Sequence, residues 1–191
     1  FIALNGDDYD LEELERQSMM YLIMHEVGHT LGLNHNMKSS SIHSISELYD
    51  SNKLKGKAIS GSVMDYPALN LNPDQKIKSP YADSSVGHYD KWAIEFGYKP
   101  FKSEQERNEI LSRSTDPLLI FGNDADILYS SRGIDPRVQT NDMSSDPISY
   151  SIDRMRLVNE LFDDILDKFQ ISGNTYEAVS YTHLRAHETV V

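Results

Sequence analysis

The 191-residue sequence contains no cysteine, which excludes a disulfide framework and any thiolate metal site while leaving the compartment open. It has no long hydrophobic run. The longest, Met19-Met20-Tyr21-Leu22-Ile23-Met24, falls far short of the roughly 20 residues a membrane span needs. Positive charge is scarce: 18 Lys and Arg stand against 30 Asp and Glu, for a formal net charge of −12. Such a surface repels phosphate backbones and argues against nucleic acid as a partner, and solubility is its simplest meaning. The chain opens on Phe1 with neither an initiator Met nor a signal-peptide pattern, as expected of a piece of a longer protein. No internal repeat is visible.

What remains is an ordinary globular composition, 39% hydrophobic and 25% charged, sized for one domain or one domain plus an extension. Apolar and histidine positions at helical spacing (Leu11, Leu14, Tyr21, Leu22, His25, His29) predict a helix over about residues 10–32. Asp10 and Glu13 stand at capping-box spacing, and Gly32 is a natural stop. Residues 36–61 read mostly as loop, and three prolines keep 62–82 irregular. Helices are expected over 85–97, over 103–113 behind Ser103, and over 149–170. Between the last two lies a long Asp/Gly/Pro/Ser-rich segment, 114–147.

The chemistry is concentrated in residues 25–35, H-E-V-G-H-T-L-G-L-N-H. Histidines four apart share one helix face, so His25 and His29 can reach the same ion. Glu26 projects beside them, near a water on that ion. Gly32 lets the chain turn sharply and return His35 as a third ligand. Three neutral imidazoles would leave one zinc ion its double charge and an open fourth position, as a catalytic site needs. Five fixed positions of this kind arise by chance in on the order of one chain in ten thousand.

The string resembles the metzincin zinc signature, H-E-x-x-H-x-x-G-x-x-H. Downstream, Ser62-Val63-Met64-Asp65-Tyr66-Pro67 is similar to the methionine-bearing turn of that family, and Asp90-Lys91-Trp92-Ala93-Ile94-Glu95-Phe96-Gly97-Tyr98 to its last helix. The chain also resembles large exported zinc metallopeptidases of Bacteroidota, in H-E-V-G-H-T-L-G-L-x-H-N, S-V-M-D-Y-P and Y-D-K-W-A-I-E. The resemblance implies an α+β zincin-like catalytic domain. Here it would be truncated, mostly helical with long irregular loops, and its N-terminal sheet reduced to residues 1–4 at most. It implies Met64 as the floor of the zinc site and Tyr66 as a residue reaching the metal or the oxyanion. It also implies a bacterial metalloendopeptidase acting on peptide or protein substrates and exported to the periplasm, outer membrane or medium. Residues 1–100 would hold the catalytic part and 101–179 a helical extension. Residues 180–191 resemble a translated sequencing-adapter tail, so His183 and His187 are set aside despite their zinc-like spacing.

Two further readings stay open. The zinc could serve only structure, in a binding or scaffold module or an inactive truncated piece, or it could serve a hydrolase acting on a non-peptide bond. Asn123, Asp124, Asp126 and Asp135 offer oxygens of the kind calcium takes, but without EF-hand spacing, and turn-forming Asx residues are the favoured account. His43 and His88 have no ligand partner at recognisable spacing and read as surface or structural residues. The sequence leaves the oligomeric state open.

Overall fold

The computed structural model describes residues 9–74, 79–127 and 133–169. The element order is α1 (Leu11–Thr30), α2 (Ile45–Leu48), α3 (Ser51–Leu54), α4 (His88–Tyr98), α5 (Glu104–Ser112) and α6 (Pro147–Phe169), with short 3-10 turns at Ser39–Ile42, Arg113–Thr115 and Pro117–Leu119. No strand occurs among the described residues, so the visible part is helix and loop, as expected of a truncated α+β domain. Residues 1–4 and the 180–191 tail lie outside the described residues. The chain forms two compact units, 11–150 and the two ends (1–10 with 151–191). The described part of the second is chiefly the run of α6 from Ser151.

Helix α1 departs from the expected amphipathic pattern. Its buried residues are Gln17, His25 and Gly28, whereas Leu11, Met19, Leu22, Ile23, Val27 and Leu31 are exposed. Apolar spacing alone therefore pointed to part of the wrong face. The inward face is polar because it is tied by hydrogen bonds rather than by packing. Gln17 Oε1 accepts from the backbone N–H groups of Tyr81 (2.7 Å) and Ala82 (3.1 Å), and the Tyr21 hydroxyl donates to the Asp65 carbonyl at 2.5 Å. Glu13 bonds Arg16 and Gln17 on the first turns. The helix ends at Gly32, whose φ of 82° is cheap only for glycine. Leu33 N–H reaches back to the Gly28 carbonyl (3.0 Å) and Gly32 N–H to that of His29 (2.9 Å), the paired bonds of a Schellman turn. The Tyr98 hydroxyl covers the Leu31 carbonyl.

Two four-residue helices and a 3-10 turn punctuate the stretch read as mostly loop. Ser44 and Glu47 form a reciprocal capping box on α2, and Asp50 caps α3. They carry Leu48 and Leu54 into a core with Ile59, Met143 and Tyr150. Helix α5 opens on Ser103, whose hydroxyl accepts from Glu106 N–H, while Trp92 of α4 donates its indole N–H to the Ile110 carbonyl. Asp146 caps α6, where Pro147 suits a first turn that needs no N–H.

Candidate metal centre

Segment 59–66 has no regular structure, so its backbone groups need other partners. Three buried aspartates supply them. Asp83 accepts from the N–H groups of Ile59 (2.7 Å) and Ser60 (3.2 Å). Asp90, on the first turn of α4, accepts from Val63 N–H (2.9 Å), Gly87 N–H (2.8 Å) and the Ser62 hydroxyl. Asp65 accepts from Ser40 N–H (2.7 Å), the Ser39 hydroxyl (2.9 Å) and Tyr66 N–H (2.7 Å). Burial raises the carboxyl of Asp65 to about 7 and that of Asp83 to about 6, against the downward pull of these bonds. Thus pinned, the segment lays Met64, fully buried, beneath α1 at Gly28.

The three histidines converge above it. His25 and His29 come from successive turns of α1 with ring centroids 4.8 Å apart, and His35 returns after the Gly32 turn, 4.8 Å from His29. Their candidate ligand nitrogens lie within 4.8 Å of one another, the one such cluster of three or more His, Cys, Asp or Glu among the described residues.

The outward nitrogens decide the protonation pattern. His25 Nδ1 lies 2.8 Å from the Val63 carbonyl, and His29 Nδ1 3.1 Å from the Leu33 carbonyl. His35 Nδ1 lies 2.9 and 3.0 Å from the two carboxylate oxygens of Asp124. Carbonyl and carboxylate oxygens only accept, so each Nδ1 carries a proton, and a ring that carries only that one turns the lone pair of Nε2 inward. Burial holds the His25 pKa below the ordinary histidine value, with its Val63 bond opposing, which favours the neutral form.

A cation fits this arrangement. His25 Nε2 is buried without a hydrogen-bond partner, a costly state for a polar atom unless something accepts its lone pair. His29 Nε2 and His35 Nε2 face each other at 3.1 Å. Two lone pairs at that distance repel, yet nitrogens on one tetrahedral zinc lie only about 3.3 Å apart. A family model described as Met-zincin matches residues 7–188.

The chain belongs to the Met-zincin family. No curated protein and no solved structure matches it. The family makes this Met-zincin metallopeptidase-like in fold, and its histidine cluster is compatible with a metal site.

Around the cluster, Tyr66 stacks on His25 (centroids 4.8 Å, planes 30° apart), and its hydroxyl lies 3.1 Å from His35 Nε2. Burial first, then the charges of Glu26 and Asp124, raise its pKa and keep the phenol protonated. Glu26 is exposed and makes no hydrogen bond among the described residues. Its carboxylate is close enough for its charge to act on His25, Tyr21 and Tyr66.

Sequence reading missed two features of this Met-zincin site. Gly28 occupies an unspecified position of the zinc string, yet a Cβ there would meet Met64 Sδ at 2.2 Å. A glycine inside a helix was the available signal of such an approach. Asp124 was grouped with calcium-type oxygens, but its carboxylate faces His35. The other members of that group are committed elsewhere. Asn123 and Asp135 accept from N–H groups two residues on, as Asx turns do, and Asp135 also pairs Lys38 and Arg137. His43 is half-buried and His88 exposed, and neither joins the cluster.

Proposed function

We propose that this protein is a zinc-dependent endopeptidase, with His25, His29 and His35 as ligands of one ion, Glu26 as general base and Tyr66 as an oxyanion donor. The observation that carries the reading is the convergence of three Nε2 atoms, each ring fixed by an acceptor on its Nδ1. Bound there, zinc would supply Lewis acidity and bring the pKa of a water down towards about 7.

The chain's own residues do the rest. Glu26, exposed beside His25 and without a competing bond, accepts the proton as water attacks the scissile carbonyl, then hands it to the departing amine. Tyr66, kept protonated, donates to the oxygen that gains charge. Met64 and Gly28 hold the helix at fixed height over the turn, and Gly32 sets the angle at which His35 returns. Substrates are peptides or proteins, and the resemblance to exported bacterial peptidases supports an exported location. No helix among the described residues is long and apolar enough to cross a membrane.

The test is Glu26→Gln. Zinc binding should persist while cleavage of a mixed-peptide library, chelator-sensitive in the parent protein, falls by at least about a hundredfold. Full cleavage by the variant would refute the role of Glu26. Zinc binding with no cleavage by the parent would leave the ion a structural part of a scaffold.

A further inference from the structure

We propose that Asp124 is a positioning residue for the metal centre: its carboxylate holds the third ligand, His35, in the tautomer and orientation that binds zinc. This rests on the zinc reading above and adds a residue from far along the chain.

The placement is built from the backbone. Asn36, directly after His35, is fully buried, donates its amide to the Ile120 carbonyl (2.9 Å) and accepts from Gly122 N–H (3.1 Å). Met37 N–H donates to the Gly122 carbonyl at 2.7 Å. Segment 120–122 is thereby zipped against the residues that follow the ligand. Next comes a tight turn closed by the Asp126 N–H to Asn123 carbonyl bond (2.9 Å), with the Asn123 and Asp126 side chains bonding within it. Asp124 stands on that turn without helping to close it. Among the described residues its carboxylate bonds only His35, through both oxygens.

The other two ligands take backbone carbonyls as their outer acceptors, from Val63 and Leu33. His35 alone of the three takes a carboxylate. A charged acceptor on Nδ1–H fixes the ring more firmly and makes Nε2 a stronger donor to a cation. Outer partners of this kind commonly change metal affinity by about 10- to 100-fold. The Asp124 side chain is 65% exposed, so water competes and the low end, about tenfold, is expected here.

The experiment measures the zinc dissociation constant of the whole chain by competition with a chromophoric chelator. D124N should raise it about tenfold. In an H35A background the same substitution should change it by less than about twofold, because the two residues act through one bond. The His35 Nδ1–H resonance of zinc-loaded protein should also move upfield in D124N. Unchanged affinity in D124N, or an equal loss in both backgrounds, would overturn the proposal. The wider zinc reading fails differently: the parent chain would bind no zinc, or binding would survive H25A.

Discussion

Met64 Sδ occupies the space that a side chain on Gly28 would need: a Cβ built there lies 2.2 Å from it. Both residues are buried, Met64 completely, and Gly28 lies between the two zinc-type histidines of α1. Gly28→Ala should therefore lift the helix from the methionine-bearing turn. Overpacking of this kind costs about 1–3 kcal/mol. Paired with Met64→Ala, the loss should be less than the sum of the single losses, because each relieves the other's crowding. Urea denaturation of the four proteins measures the coupling, and strict additivity would deny the contact.

Part of this was legible in the sequence. Helix α1 and its stop at Gly32 follow from local spacing and one glycine, and the histidine cluster from the spacing of its three members. The rest depends on partners distant along the chain. Asp124 meets His35 across 89 positions, and the bonds linking residues 36–43 to 120–145 join backbone and side-chain groups of irregular segments, so they leave no periodic mark. Nothing in the sequence marks Asp65, Asp83 and Asp90 as interior residues, since aspartate is rarely buried. Their role emerges only once an irregular segment needs acceptors. The exposed apolar side of α1 is the same lesson reversed: periodicity shows where a face lies, not what covers it.

Zinc should stabilise the fold, because the inward nitrogens converge only in the native state. At free zinc of about 100 times the dissociation constant the gain is about 2.7 kcal/mol, or about 5–10 °C in Tm for a chain of this size. Thermal unfolding with and without chelator measures it. His25→Ala and His29→Ala should each abolish most of the shift, and an unchanged shift in either would remove that residue from the ligand set.

Tyr66→Phe keeps the ring that stacks on His25 and removes only the hydroxyl near His35. If that hydroxyl donates to the developing oxyanion, kcat falls and KM changes little. Buried oxyanion donors contribute about 10²–10³. Tyr66 is 40% exposed, so a loss of about tenfold to a hundredfold is expected. Zinc affinity should change by less than about threefold, since a neighbouring hydroxyl is a weaker influence than a ligand. A rise in KM at constant kcat would instead make Tyr66 a substrate-binding residue.

The pinned loop gives the apo protein an unusual pH response. Burial raises Asp65 to about 7 and Asp83 and Asp142 to about 6, from an ordinary value of 3.8. A raised carboxyl binds its proton more tightly in the folded chain than in the unfolded one. Its contribution is complete below the unfolded pKa and is lost as pH rises through the folded pKa. The share of these three carboxyls should decline from about pH 4 to about pH 7 and then level off, while His25 and His43, whose pKa burial lowers, contribute a rise over the same range. Glu13 and Glu47, both held near 2 by hydrogen bonds, act oppositely, losing their contribution as pH falls from about 4 towards 2. In chelated protein the three carboxyls favour the acid side of this range, and the two histidines the neutral side, so the carboxyl share is read from a variant rather than from the position of the optimum. Urea midpoints across pH 3–9 test this. Asp83→Asn should remove that residue's share of the decline between pH 4 and 6, although losing an acceptor lowers stability throughout, and a pH profile of unchanged shape in that variant would show that Asp83 titrates normally in the folded chain.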